Sequence, residues 1–366
     1  MEIIKLEKSV NVLWDKMCLE SDNAWFWHTT DWLNYCMSHG AEKHNTINVS
    51  FMLADDSGPL AICPLLLEKR IGLDGKERLE FSTAGSGGYG IIPAVCNVSS
   101  EERADKIMKK IFETIDKLAA QYQVARASFR SNPLAKKRSD SNILMRYGYI
   151  DNSLNTQIID LTLPVAELWS NVRKGHKYDV NRGKKNFEVH IYDKGNADKN
   201  IFDQYCLLHH KAAGRITRPI ETFEMMYQWI LSGEGMLCGI SKDGVFVGFS
   251  YIILYKDGAF FGSASDDPDF KADIPISHIA QWAIICWLKE RGYKNYEIGF
   301  QHFGPQIFDV PTSKDLNISF FKRGFGGKTM MLFRGEKYYS KDYFLLMYKN
   351  RIEKLCEQHI GNYANW

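Results

Sequence analysis

Residues 235–265 read GMLCGISKDGVFVGFSYIILYKDGAFFGSAS. GMLCGI and VFVGFSYIILY are rich in apolar, β-branched and aromatic residues, the composition of buried strands. Ser241-Lys242-Asp243-Gly244 lies between them as a turn signal, so the pair predicts a hairpin. Lys256-Asp257-Gly258 is a second turn, and AFFGSAS is a third strand. The polar stretch DDPDFKADIP (266–275) leads into ISHIAQWAIICWLKERG, where Ile276, Ile279, Ala280, Ala283, Ile284, Trp287 and Leu288 recur at helical spacing. Pro275 suits the first turn of that helix and Gly292 its end. NYEIG (295–299) is a short buried strand. ISFFKRGFGGKTMMLF (318–333) is expected to be a strand interrupted by glycines. Meander, helix, strand, strand is an α/β order, and open α/β sheets place ligands at strand ends.

The rest of the chain is consistent with two such units. At 366 residues it exceeds one ordinary core. Hydrophobic residues at 45% and charged residues at 25% are globular values, and a net charge of +2 sets up no global field for nucleic acid or anionic lipid. No apolar run is long enough to predict a membrane span, and the N-terminus lacks a signal-peptide pattern. Eight scattered cysteines without a C-x-x-C pair predict a reducing cytoplasm and no metal site.

TINVSFMLA and LAICPLLLEKR predict two strands around the turn Asp55–Pro59, followed by the strand KERLEFST. Ser99 and Glu102 form a capping-box pattern ahead of a helix with Ala104, Ile107, Met108, Ile111, Ile115, Leu118 and Ala119 on one stripe. VARASFR is a further strand. Thus "strand, acidic turn, strand, strand, long helix, strand" occurs at 46–130 and again at 236–299.

The G-F-S-Y strand, the Pro-led helix with Trp282, the Y-E-I-G strand and Phe321-Lys322-Arg323-Gly324-Phe325-Gly326-Gly327 together resemble the catalytic half of the Fem-type non-ribosomal peptidyltransferases. These are a branch of the GCN5-related N-acyltransferases (GNATs). LTLPVAELWSNVRKGHKYDVNRGKKNFEV (161–189) and WHTTDWLNYC (27–36) resemble other passages of that family. The resemblance implies an α/β protein with two tandem GNAT-like lobes around a shared cleft. The first lobe would span 1–155, the catalytic lobe 156–336, and a helix at 337–366 would pack back on the first.

Several residues are candidates for chemistry. Gly85-Ser86-Gly87-Gly88-Tyr89-Gly90 matches G-x-G-x-x-G, but the extended Ile91-Ile92-Pro93 follows it, so a dinucleotide fingerprint is not expected. Gly87, Gly88 and Tyr89 are instead expected to line the acceptor site. Where a coenzyme A loop would stand, DDPDFKADIP has no glycine. Lys322, among Phe321 and Phe325, is expected to meet donor phosphate or a developing oxyanion, because an ammonium among aromatics needs an anion. His278, His302 and Glu297 are candidate acid–base groups for an amine attack that requires a neutral amine. Asp266 and Asp267 are candidates for holding the acceptor, and Arg215 and Arg218 for clamping a diphosphate. The basic run 173–185 reads as a solvated helix face or as a phosphate-binding surface.

The expected function is N-acyl transfer from acyl-CoA to the amino group of a nucleotide-linked amino sugar in surface polysaccharide synthesis. Acyl-CoA is expected as a substrate rather than a resident cofactor. The alternatives are an aminoacyl-tRNA-dependent peptidyltransferase extending a peptidoglycan precursor, with tRNA as partner, and a non-catalytic binding protein of the same fold. DNA is not an expected partner.

Overall fold

The computed structural model describes residues 1–96, 98–271 and 273–360. The end of the helix expected over 337–366 therefore lies partly outside the described residues. The chain divides into two compact units. One comprises Met1–Asn155, His302–Leu316 and the chain from Met331 onward; the other comprises Thr156–Gln301 and Asn317–Met330.

The second unit is built on one seven-stranded sheet. Its order is Glu188–Tyr192, Gly235–Lys242, Val245–Tyr255, Gly258–Asp266, Asn295–Gln301, Leu154–Asp160, Lys328–Leu332. The hairpin at 235–255 turns on Asp243 and Gly244, both at positive φ, as the tightest hairpin turns require. Gly258–Asp266 pairs parallel with Asn295–Gln301. A parallel pair needs a crossover, and the helix Ile276–Glu290 supplies it. Ile279, Ile284 and Leu288 of that helix enter one core with Met236, Cys238, Ile252, Leu254, Tyr296 and Ile298 of the sheet.

The first unit repeats this plan with variations. Antiparallel Leu66–Ile71 and Glu77–Phe81 are followed by the helix Glu101–Tyr122 and the strand Val124–Arg130, which pairs parallel with Glu77–Phe81. The helix buries Ile107, Met108, Ile111, Phe112 and Ile115, and its cap is Ser100 rather than Ser99. The two strands expected at 46–54 and 60–70 each break. Ile47–Asn48 and Leu66–Ile71 join the first unit's own main sheet, also seven-stranded, with Glu77–Phe81 and Val124–Arg130, whereas Phe51–Asp55 and Gly58–Cys63 form a separate four-stranded sheet with Glu2–Lys5 and Ala94–Val95. Pro64 has no N–H to continue a ladder, and Ser50 bridges the break by bonding Leu65 N and Leu65 O.

Each sheet also takes a strand from the opposite part of the sequence. Arg334–Tyr338 lies beside Val124–Arg130 in the first unit, and Leu154–Asp160 lies beside Asn295–Gln301 in the second.

A further element departs from the sequence reading. The expected strand ISFF is part of a helix, Ser313–Arg323. Thr312 and Asp315 cap it reciprocally: the Asp315 carboxylate accepts from Thr312 N and Oγ1, and Asp315 N donates to Thr312 Oγ1. Aromatic, β-branched composition favoured a strand, but the cap and the burial of Ser319 and Phe325 decide for a helix.

The first unit buries a network of charge. Arg126 bonds Glu80 at 2.7 Å and Glu336 at 3.1 Å, Arg351 donates twice to Glu336, and Tyr343 donates to Glu80. Glu80 is fully buried and Glu336 is 2% exposed. Removing one member of a buried ionic set typically costs about 3–5 kcal/mol. Residues 1–155 alone lack Glu336 and Arg351, so this fragment should show no cooperative thermal transition by circular dichroism. A two-state melt of that fragment would refute the dependence.

Candidate active site

The parallel strands of the second unit pair only at Gly258↔Asn295, Ala259↔Tyr296 and Phe260↔Glu297. Both continue, to Asp266 and Gln301, but no longer as partners. The sheet therefore opens just beyond Phe260 and Glu297. Gly299 stands in this opening at φ +103, a conformation that strongly favours glycine.

Lys322, in the last turn of the helix Ser313–Arg323, reaches this point. A Cβ placed on Gly299 would lie 2.8 Å from Lys322 Nζ, so the missing side chain is the room the ammonium occupies. Burial pushes the Lys322 pKa down from 10.5 to about 8, and the neighbouring Glu297 carboxylate acts in the opposite sense. Glu297 is 1% exposed and accepts from Thr156 Oγ1 at 2.7 Å. Arg323 donates to Gln301 at 2.9 Å and ties the helix end to the same strand. A desolvated cation here can offset a developing oxyanion, and the buried carboxylate beside it can receive a proton from an attacking amine.

The two histidines nearest this region have a different setting. His176 Nε2–H donates to the Phe321 carbonyl at 2.9 Å, and a Cβ on Gly324 would collide with that ring. His278 stacks edge-on to His176 at 4.4 Å and to Phe321 at 4.9 Å. Burial, reinforced by His176, lowers the His278 pKa to about 4, and its Nδ1 has no hydrogen-bond partner among the described residues. Both rings hold helices 174–186, 276–290 and 313–323 together in uncharged form. Phe325, 2% exposed, belongs to the core, and Phe321 packs against it. The glycines expected to admit a ligand are used internally. Gly324 clears His176, Gly326 clears Asn171, and Gly327 clears the Ile158 carbonyl.

Other candidates lie elsewhere. Asp266 accepts from Ser277 in the first turn of the long helix, and Asp267 pairs with Lys211 at 2.6 Å. Arg218 stacks on Phe223 and approaches His209 Nε2, while Arg215 is exposed on the same loop. His302 belongs to the first unit, where its Nδ1 lies 2.8 Å from Asp309. Gly87, Gly88 and Tyr89 are also there. Tyr89 Oη donates to Glu336 and accepts from Asn152, and burial raises its pKa to about 12. The next two residues, Gly90–Ile91, pair parallel with Phe129 and Arg130. That short strand fills in the first unit the gap that stays open in the second.

Gly299, Thr156 and His176 were not singled out by sequence reasoning. A glycine inside a buried strand is a legible sign of a bulge or a close approach. Thr156 and His176 carry no such signal, because their partners are 141 and 145 positions away. Among the described residues no group of three or more His, Cys, Asp or Glu side chains is arranged to hold a metal ion, and no helix is long and apolar enough to cross a membrane.

The fold is that of two tandem GNAT-like lobes. No family model matches the chain, and no curated protein matches it by sequence. Among solved structures it is similar to FemX, with a TM-score of 0.67 and 13% identity over 95% of this chain and 100% of that one. It is similar to the C-terminal domain of a putative lysylphosphatidylglycerol synthetase from Agrobacterium fabrum (TM-score 0.56, 13% identity, 94% and 96% covered). A tandem GNAT protein from the clavulanic acid biosynthesis pathway aligns with TM-score 0.50 and 10% identity, covering 93% and 98%.

The depressed Lys322 pKa has a thermodynamic consequence. The unfolded chain binds this proton more tightly than the fold does, so the charged lysine costs stability below about pH 8, and the cost fades as pH rises toward 10.5. Lys322→Met should therefore melt higher than wild type near pH 7, with the difference shrinking between about pH 8 and 10.5. Melting curves across that range decide it; a pH-independent difference would show the ammonium is solvated.

Proposed function

We propose that the second unit transfers an activated acyl group to a primary amine at the opening between strands 258–266 and 295–301. The observation that carries this reading is the half-buried Lys322 ammonium near the buried Glu297 carboxylate, at the point where the parallel strands part. The amine attacks the donor carbonyl and a C–N bond forms. Lys322 offsets the charge on the carbonyl oxygen, and Glu297 takes the amine proton. The bond to the leaving oxygen or sulfur then breaks, and that atom is protonated. Thr156 orients Glu297.

Acyl-CoA and the amino group of a nucleotide-linked amino sugar are the donor and acceptor expected from the near-neutral sequence. One feature supports the other donor, an aminoacyl ester of tRNA. Coenzyme A diphosphate would need free amides at the start of the helix Ile276–Glu290, where a helix N-terminus attracts anions. Instead Pro275 supplies no N–H, and the Asp266 carboxylate stands at this helix start, bonded to the Ser277 hydroxyl, where it would repel a diphosphate. Asp267 and Asp269 follow it and share the single cation Lys211, which leaves one further negative charge there. We therefore favour the aminoacyl ester as donor, with acyl-CoA as the second reading.

Two assays separate them. Release of free thiol from a panel of acyl-CoAs with amino-sugar nucleotides supports the second reading. Ribonuclease-sensitive transfer of an aminoacyl group to an amine supports the first. No transfer with either donor class leaves a binding protein and overturns the catalytic reading.

Lys322→Ala should keep the fold and lose about a hundredfold in kcat, the usual cost of one oxyanion contact. Wild-type turnover should fall as pH rises through about 8, where Lys322 loses its charge. Lys322→Arg should keep partial activity without that limb, because a guanidinium stays charged. Unchanged turnover in Lys322→Ala removes Lys322 from the mechanism.

A further inference from the structure

The helix Lys174–Asn186 buries His176, Val180 and Gly183. At about 100° per residue, this fixes which way its other side chains face. Lys174, Tyr178, Arg182 and Lys185 fall opposite the buried stripe, with Arg173, Lys177 and Lys184 along one flank. Asp179, the acid of this run, falls on the other flank, 3.8 Å from His278. The outward half of the helix thus carries Lys174, Lys177, Arg182 and Lys185 and no acid, and Arg173 and Lys184 add two cations on the flank away from Asp179.

None of these six forms an ion pair among the described residues. Other exposed helical lysines do find acids one turn away, such as Lys16 with Glu20, Lys106 with Glu102 and Lys199 with Asp203. In a chain of net charge +2, an unbalanced row about 18 Å long is a local field rather than a by-product of composition.

Apolar side chains border the row. Phe320 is 56% exposed and Ile318 41%, both on the helix Ser313–Arg323, and Arg173 lies 3.6 Å over the Phe320 ring. Val165 and Tyr178 are also exposed. The aromatic faces are already covered by cations. Lys177 and Lys184 lie over Trp169, whose ring also packs on Trp282, and Arg182 lies over Tyr178. Single-stranded nucleic acid is gripped by open ring faces on which bases stack. Here the rings are capped and the surface is the convex side of a helix, with apolar tips among ammonium and guanidinium groups. That combination suits the headgroup region of an anionic bilayer.

We propose that this face, Arg173–Lys185 with Phe320 and Ile318, docks the protein on an anionic phospholipid surface. The inference does not depend on the catalytic reading. Each basic residue near such a surface strengthens binding about fivefold, so six give useful affinity without a membrane-spanning segment.

The test is sedimentation of the full chain with vesicles of phosphatidylcholine containing about a third phosphatidylglycerol, and with pure phosphatidylcholine. Binding is expected only to the anionic vesicles and should weaken steeply as salt is raised. The variant K174Q/R182Q/K185Q should lose about a hundredfold in partitioning while melting like wild type. Phe320→Ser should weaken vesicle binding without changing its salt dependence. Equal binding to both vesicle types, or full binding by the triple variant, overturns the proposal. So does binding of bulk tRNA that the triple variant loses, at concentrations where the anionic vesicles are not bound.

Discussion

A parallel pair of strands constrains everything built around it. Its strands cannot be joined by a tight turn, so a crossover must run over one face, and here that crossover is an apolar helix in both units. The pair also leaves both strand ends free to diverge at the same edge of the sheet. In the second unit they do diverge, beyond Phe260 and Glu297, and backbone that would otherwise be laddered is exposed to whatever fills the gap. Lys322, Glu297 and Gly299 converge there. In the first unit the same edge is closed by Gly90–Ile91, and the polar groups behind it are spent on one another. One topology thus yields one open and one sealed edge.

The two units treat buried charge differently. Glu80, Arg126, Glu336 and Arg351 satisfy each other with short bonds, and the resulting set specifies how the C-terminal strand and helix join the first sheet. Such a set is costly to break and weak evidence of net stability. Lys322 is less compensated, with its pKa lowered to about 8 despite Glu297. A group held in a charge state its surroundings disfavour is poised to respond to charge that appears during a reaction. We assign the proposed chemistry to the second unit because of this contrast.

Local sequence was sufficient where the signal was periodic or a matter of turn chemistry. The hairpin at Asp243-Gly244, the helix led by Pro275 and the repeated element order were all legible from residues close in sequence. By itself the sequence determined the tandem α/β plan, because strand and helix periods and glycine turns are local properties. The tertiary structure alone decided four things. ISFF is helical, because the Thr312–Asp315 cap and the packing of Phe325 outweigh strand propensity. The strand runs 46–54 and 60–70 split between two sheets, because Pro64 interrupts the ladder. His278 is an uncharged packing group, because desolvation by His176, Phe321 and Phe325 overrides its ordinary pKa. Finally, Thr156 belongs beside Glu297, because a contact between residues 141 positions apart is fixed by strand order and register, which no local pattern encodes.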